Sequence, residues 1–323
     1  MTLSPPSPPP APPRKARKSD PGAVPQRDLF RLDSPLTGEI RGERSLMAFP
    51  FFALAKNAWR KPLSYEHANV SIEVRPSANG VATIYDKEIV LYIASLMAAK
   101  IEAGEEVAQD FIFTAHDLFS VTGANHSARS YQRLSDALER LQGTQIKTNI
   151  EAGGEGEEGF FSWLSEAKLH YSRTRTGERR LKAVKVRLCD WLFRAILRDR
   201  QVLNYAATYF HLGPIERRIY EVARATEEDG RLEIDLPTFR LQIGYQNPLA
   251  NFRNTLKTIA AADAIPDYHV ALVEEAPDDH PPRRGRPASS IRVVITARTP
   301  QLAGPDTEPG LAPDNESNSE SGD

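Results

Sequence analysis

The 323-residue chain contains one cysteine, Cys189. A lone thiol excludes an intrachain disulfide framework and every site that needs several thiolates, zinc ribbons and iron–sulfur clusters included. It fits a reducing cytosol. Long apolar runs are also missing: the longest, residues 89–99, is about half a membrane span and is bracketed by Lys87 and Lys100. None of the 19 glycines precedes a lysine, so the phosphate-cradling loop GxxxxGK(S/T) is absent. No His-x-His pair occurs to hold the metal of a rolling-circle nicking enzyme. The N-terminus lacks a hydrophobic signal core. The expectation is a soluble cytoplasmic protein with no cofactor, no metal and no membrane contact.

Charge of one sign is missing as well. Lys plus Arg number 41 and Asp plus Glu 43, a net charge of −2, which excludes a bulk polycation and moves attention to local clusters. Nine prolines crowd residues 1–25, beside Arg14, Lys15, Arg17 and Lys18. Such a segment buries too little to offset its ordering entropy. Residues 299–323 hold six acids and no base. The expected organisation is a disordered basic arm over 1–45, folded units over 46–200 and 201–298, and a disordered acidic tail over 299–323.

The folded body reads as one architecture used twice. In the first copy the pattern predicts a short helix at 51–59 and strands at 71–75 and 81–85. Asp86 is a candidate N-cap for an amphipathic helix carrying Ile89, Ile93, Leu96 and Met97 on its apolar face. A strand at 111–114, a helix at 115–121 closed by Thr122-Gly123, and a helix at 127–142 follow. A strand at 144–151 then precedes two long strands, 160–172 and 181–188. After a connecting helix at 190–200 the order recurs: helix 214–226, strand 232–235, helix 237–243, turn at Gly244, helix 248–262, strands 269–274 and 290–298. Helix, strand, helix, turn, helix and hairpin is the order of a winged helix-turn-helix. The fold expectation is α+β, two tandem winged helix-turn-helix domains between disordered tails.

Helix 127–142 has the composition of a recognition helix. Tyr131, Leu134, Ala137, Leu138 and Leu141 share the buried side, and Arg129, Arg133, Asp136 and Arg140 line the other. Ser127, Ser130 and Gln132 add hydrogen-bonding groups near the N-terminal turn, where side chains reach base edges. A solvated helix face is the plain alternative. The hairpin carries the stronger signal: Lys168, Arg173, Arg175, Arg179, Arg180, Lys182, Lys185 and Arg187 stand against one acid, Glu178. Alternate strand side chains share a face, so Arg173 with Arg175 and Arg180 with Lys182 project together. Such a wing can straddle a phosphate backbone or enter a minor groove. Helix 248–262 repeats the theme with Asn251, Arg253, Asn254 and Lys257 outward, and no acid lies between Leu236 and Ala262.

Enzyme signatures are poor. His126-Ser127-Ala128-Arg129 matches the His-x-x-Arg of tyrosine recombinases only superficially, because Tyr131 falls on the buried side. Asp278-Asp279-His280 could bind a cation, but a proline-rich loop makes a solvated turn the simpler reading.

Three segments carry a resemblance. Phe51-Phe52-Ala53-Leu54-Ala55-Lys56 is the first, and Tyr131-Gln132-Arg133-Leu134 with Ala137-Leu138-Glu139-Arg140-Leu141 the second. The third is Gly143-Thr144-Gln145-Ile146-Lys147-Thr148-Asn149-Ile150. Together they resemble the replication initiator protein A family of bacterial plasmids over roughly residues 45–275. The second half matches mainly as a helix pattern around Pro214 to Tyr220. The resemblance implies a sequence-specific protein that binds double-stranded plasmid origin DNA and recruits a host replication initiator and replicative helicase, without chemistry of its own. Self-repression of its promoter is a further implication. The arginines of helix 127–142 and Lys147 are the residues carried over. A homodimer stands beside a monomer as an alternative. The competing readings are a winged-helix transcriptional regulator and, from another class, a nuclease or recombinase.

Overall fold

A computed structural model describes residues 31–156, 158–227, 229–274 and 291–298. The acidic tail, residues 1–30 of the arm and the Asp278-Asp279-His280 segment lie outside the described residues. The chain is mixed α+β and carries two buried apolar cores, one for each half.

In the first half the order is β1 (Arg41–Glu43), α1 (Arg44–Ala48), β2 (Leu63–His67), β3 (Val70–Arg75), α2 (Lys87–Glu102), β4 (Asp110–Phe113) and α3 (Ala115–Thr122). Then come α4 (Ala128–Gly143), β5 (Gln145–Thr148), β6 (Leu164–Arg173), β7 (Arg179–Leu188) and α5 (Asp190–Arg194), which runs on into a π-helical turn at Ala195–Asp199. β4, β7 and β6 form one antiparallel sheet in that order, and β2, β3 and β5 another. The second half holds β8 (Val202–Asn204), α6 (Pro214–Thr226), β9 (Arg231–Asp235), α7 (Leu236–Ile243), α8 (Leu249–Ala262), β10 (Tyr268–Glu274) and β11 (Ile291–Ala297). Its sheet order, β10-β11-β9, matches the first half: the strand after the leading helix pairs with the last strand of the hairpin.

The sequence builds the central helix pair of both halves with the same devices. Thr114 caps α3, its hydroxyl accepting from the Asp117 amide at 3.0 Å, and Asp235 caps α7, accepting from the Thr238 amide at 3.0 Å. Each helix then stops at a left-handed glycine, Gly123 with φ 71° and Gly244 with φ 78°, a conformation that a Cβ disfavours. Ser127 caps α4 in the same way, accepting from the Ser130 amide.

Five expectations change. Residues 51–59 form no helix; Ala53 and Trp59 instead make isolated bridges to Thr83 and Val81, and 81–85 is likewise not a strand. Phe51 and Phe52 are buried beside Trp163, so their packing, rather than a helical period, fixes the segment. Asp86 is the N-cap residue of α2 as expected, but its side chain makes no capping bond; its carboxylate accepts from the Thr83 amide and from Arg140. α2 is not one-sidedly apolar: residues 87 and 89–98 are all buried, because the helix serves both cores, Leu91 belonging to the second. The arm ends earlier than residue 45. From Asp33 on the chain is tied down, Asp33 bonding Lys100 and the Ile112 amide, and β1 pairing with β8.

The two halves meet through buried charge. Lys87 at the start of α2 and Glu221 on α6 lie 2.6 Å apart, their side chains 1% and 0% exposed. Arg218 approaches the other carboxylate oxygen at 2.8 Å and also donates to the carbonyls of Met47 and Gln242. The hydroxyls of Tyr205 and Tyr209 donate to Glu221 at 3.2 and 2.7 Å. Beside this cluster Arg217 bonds Glu88 at 2.7 Å and the carbonyls of Leu212 and Phe210. Burial pulls the Lys87 ammonium down to about 8, with Arg218's like charge adding to it against the opposing pull of Glu221. Glu221, which burial alone would raise, is held below the usual range by Lys87 and Arg218. Burial pushes both tyrosines well above 10. Two cations thus share one carboxylate, and every polar atom of that carboxylate is occupied.

Candidate nucleic-acid interface

A groove of about 830 Å³ runs between α4 and the β6–β7 hairpin. Its walls include His116 and Asp117 at the start of α3, Gln132 and Ser135 on α4, and Tyr171, Arg179, Arg180 and Lys182 on the hairpin. The hairpin's cations divide by position. Near its base Lys168 pairs with Glu166, Lys185 with Asp110 and Glu166, and Arg187 with Asp110. Toward the tip Arg173, Arg175, Arg179, Arg180 and Lys182 are all exposed, and none forms an ion pair with an acid among the described residues. Arg175 lies in the turn between β6 and β7 rather than in a strand. One end of the hairpin is therefore internally neutralised, and the other presents five uncompensated cations.

On α4, Arg129, Gln132 and Arg133 are exposed. Gln132 bonds Asp136 at 2.8 Å and borders the groove; Arg133 borders a second, smaller cleft with Glu88 and Asp86. Two candidates from this helix are corrected. Ser130 is buried, its hydroxyl donating to Asn125 at 2.7 Å, so it fixes the α3–α4 turn and does not face solvent. Arg140 bonds Asp86 through Nε and Nη2, each at 2.7 Å, with only 16% of its side chain exposed. It is a strut between α4 and the start of α2, and the attachment holds its guanidinium above the ordinary range, first through the hydrogen bond to Asp86. The arginine row expected to face outward therefore bends toward α2 at its C-terminal end. Ser127 remains exposed while serving as the cap of α4.

The remaining candidates are dispersed. Lys147 is exposed on β5, in a different sheet from the hairpin, with its ammonium 6.0 Å from the Phe160 ring centroid. On α8, Asn251, Asn254 and Lys257 are exposed, whereas Arg253 is half-buried and paired with Glu274 on β10. Ser135, His116 and Tyr171 border the groove and were not among the sequence candidates. The first two gave no signal because neither belongs to a charge cluster. Tyr171 was legible only as one more aromatic in a strand.

The profile of the replication initiator protein A family matches residues 41–270, from β1 into β10. The chain belongs to this family. A putative replication protein of Wigglesworthia glossinidia brevipalpis is 30% identical over 255 residues, covering 76% of this chain and 89% of the relative. Among solved structures, domains 2 and 3 of RctB, as selenomethionine derivatives, superpose with a TM-score of 0.53 at 13% identity. That match covers 79% of this chain and 98% of the RctB chain and is a likeness of fold. Membership in the replication initiator protein A family gives the chain an initiation role. The family match spans both cores, the groove and the buried Lys87–Glu221 contact. No helix among the described residues is long and apolar enough to cross a membrane.

Proposed function

We propose that this replication initiator binds double-stranded plasmid origin DNA sequence-specifically, using two winged-helix units, and starts replication in the cytoplasm by recruiting host initiator and helicase without chemistry of its own. The observation that carries the reading is the set of five exposed tip cations, Arg173, Arg175, Arg179, Arg180 and Lys182, beside a groove whose opposite wall is the capped helix α4. A phosphate backbone answers such a row of unpaired cations, and a helix N-terminus with exposed Arg and Gln can address base edges. The second unit repeats the order of elements and offers Asn251, Asn254 and Lys257 on α8. Two such units joined through a buried ion pair would hold a fixed spacing on the duplex. Repression of its own promoter follows if the same DNA sequence overlaps that promoter.

The test has two parts. A plasmid carrying the gene and its flanking DNA should replicate in a host that cannot otherwise maintain it, and should fail when the tip arginines become alanine. Fragments of the flanking DNA should be retained by the purified protein in the presence of excess scrambled duplex. Autonomous replication without any such retention would remove direct origin binding from the reading.

A further inference from the structure

The β6–β7 hairpin contains two register shifts, one at its base between Leu164 and Glu166 and one between His170 and Tyr171, and the second reorganises the tip. Along the base the partners are Glu166 with Arg187, Lys168 with Lys185 and His170 with Ala183; beyond that point they are Tyr171 with Leu181, Ser172 with Arg180 and Arg173 with Arg179. Lys182 is left without a partner in the ladder, the mark of a bulge of one residue. Because side chains alternate faces, a one-residue slip exchanges the two faces of everything beyond it. In an unbroken ladder Tyr171 would sit opposite Lys182 and Arg173 opposite Arg180. The bulge instead sets Leu181 and Arg179 opposite Tyr171 and Arg173, on the face that carries Leu169 and Val184 nearer the core.

The consequence is a stacked pair. The Arg179 guanidinium carbon lies 4.1 Å from the centre of the Tyr171 ring, and both residues border the groove beside α4. Tyr171 is 44% exposed, so the core does not require it. An exposed arginine ordinarily samples many rotamers. A ring under its plane restricts that freedom while leaving the guanidinium N–H groups in the plane available, the geometry suited to bidentate capture of a phosphate.

We propose that Tyr171 is a positioning residue for DNA binding: the bulge at Lys182 aims its ring so that it holds the Arg179 guanidinium edge-on to the groove, prepared for one backbone phosphate. The inference rests on the DNA-binding reading above and adds a residue that carries no charge and makes no phosphate contact of its own. The ring acts, not the hydroxyl, so phenylalanine substitutes for it and alanine does not.

The experiment measures binding of the full chain to a short mixed-sequence duplex as a function of salt, for wild type, Tyr171→Ala, Tyr171→Phe, Arg179→Ala and the double variant Tyr171→Ala/Arg179→Ala. Circular dichroism checks that each variant is folded. Tyr171→Ala should weaken binding roughly three- to tenfold and lower the log–log salt slope by about 0.9, the value of one phosphate contact. Arg179→Ala should do the same, the double variant should be no worse than either, and Tyr171→Phe should match wild type. Additive losses in the double variant, or a Tyr171→Phe defect as large as that of Tyr171→Ala, would overturn the positioning role while leaving DNA binding intact. A wild-type protein with no salt-dependent affinity for the duplex would instead remove the DNA-binding reading itself.

Discussion

The ammonium of Lys87 and the carboxylate of Glu221 meet at 2.6 Å with no water-accessible surface to speak of on either side chain, joining α2 of one half to α6 of the other. Such a pair is held together by a balance between desolvation and attraction, so removing its members one at a time is unequal. Glu221→Gln strands two buried cations, Lys87 and Arg218, and should cost about 3–5 kcal/mol of stability. Lys87→Met leaves Glu221 with Arg218, Tyr205 and Tyr209, all within hydrogen-bond distance, and should cost distinctly less. Urea unfolding of the two variants compares them. Equal losses would mean that Arg218 does not support Glu221 when Lys87 is gone.

The same contact gives a pH signature. Lys87 falls from 10.5 to about 8 in the folded protein, burial being the largest cause. In the alkaline range the unfolded chain therefore binds more protons at this residue than the native one, and stability rises with pH from about 8 toward 10. Tyr205 and Tyr209, pushed well above 10 by burial, oppose the trend above pH 10. Glu221, held low, completes its contribution above its unfolded value of 4.5 and is silent in this window. Wild type should gain stability between pH 8 and 10 relative to Lys87→Met, read from urea midpoints at matched ionic strength. Parallel profiles would place the Lys87 titration elsewhere.

The hairpin should behave as two regions. Replacing Arg173, Arg175, Arg179 and Arg180 with alanine should weaken binding to all duplex sequences alike and flatten the salt dependence, by roughly 0.9 in log–log slope per lost phosphate contact. Replacing Lys168, Lys185 and Arg187, whose charges are already answered by Glu166 and Asp110, should leave most of that slope in place. A quadruple tip variant that is folded and keeps the wild-type slope would take the hairpin out of the interface.

Two arginines of α4 separate recognition from architecture. Arg129 is exposed and has no acidic partner among the described residues; its replacement by alanine should cost about 1–3 kcal/mol at the specific site and relax base preference locally. Arg140→Ala removes both guanidinium bonds from the buried Asp86 carboxylate and should cost on the order of 1.5–3 kcal/mol of folding stability. Its salt slope should stay that of wild type. Competition against scrambled duplex, alongside urea unfolding, reads both. An Arg140 variant with full stability and lost specificity would return it to the DNA face.

Local order was the readable part of this chain. Caps, glycine stops and the alternation of strands place α3, α4, α6, α7, α8 and the two hairpins within a few residues, because those signals act over single turns. The segment around Phe51 was misread because its apolar residues are fixed by Trp163 and the 81–83 bridges, partners far away in sequence. Arg140 and Ser130 illustrate the limit for the site. A helical wheel assigns polar residues to solvent, whereas Asp86 and Asn125, brought in by other elements, claim these two. The charged join between the halves was invisible for the same reason. Lys87 reads as the edge of an apolar run, and nothing in the sequence sets it beside Glu221 and Arg218 until α2 and α6 are packed together. The hairpin's charge excess was legible, but its division into a neutralised base and an open tip depends on Asp110, more than fifty residues away in sequence.

The last prediction concerns catalysis. The sequence offers no phosphate-cradling loop, and no group of three or more metal-ligating side chains occurs among the described residues. Tyr131, the tyrosine nearest the His-x-x-Arg segment, packs edge-on against Phe119 with ring centres 5.2 Å apart. Tyr205 and Tyr209 are buried, donate their hydroxyls to Glu221 and have pKa values pushed upward, the opposite of an activated phenolate. The purified protein should therefore neither hydrolyse ATP nor nick supercoiled origin plasmid, with or without magnesium. Any distortion of the duplex would have to come from binding energy, since bending a short site costs on the order of 1–6 kcal/mol, well within what two binding units and a row of phosphate contacts supply. Agarose gels of supercoiled origin plasmid incubated with the protein, run with and without protease treatment, give the readout. A nicked product, or a protein-linked species that disappears in a single Tyr→Phe variant, would show a nucleophile at work and make the chain an enzyme.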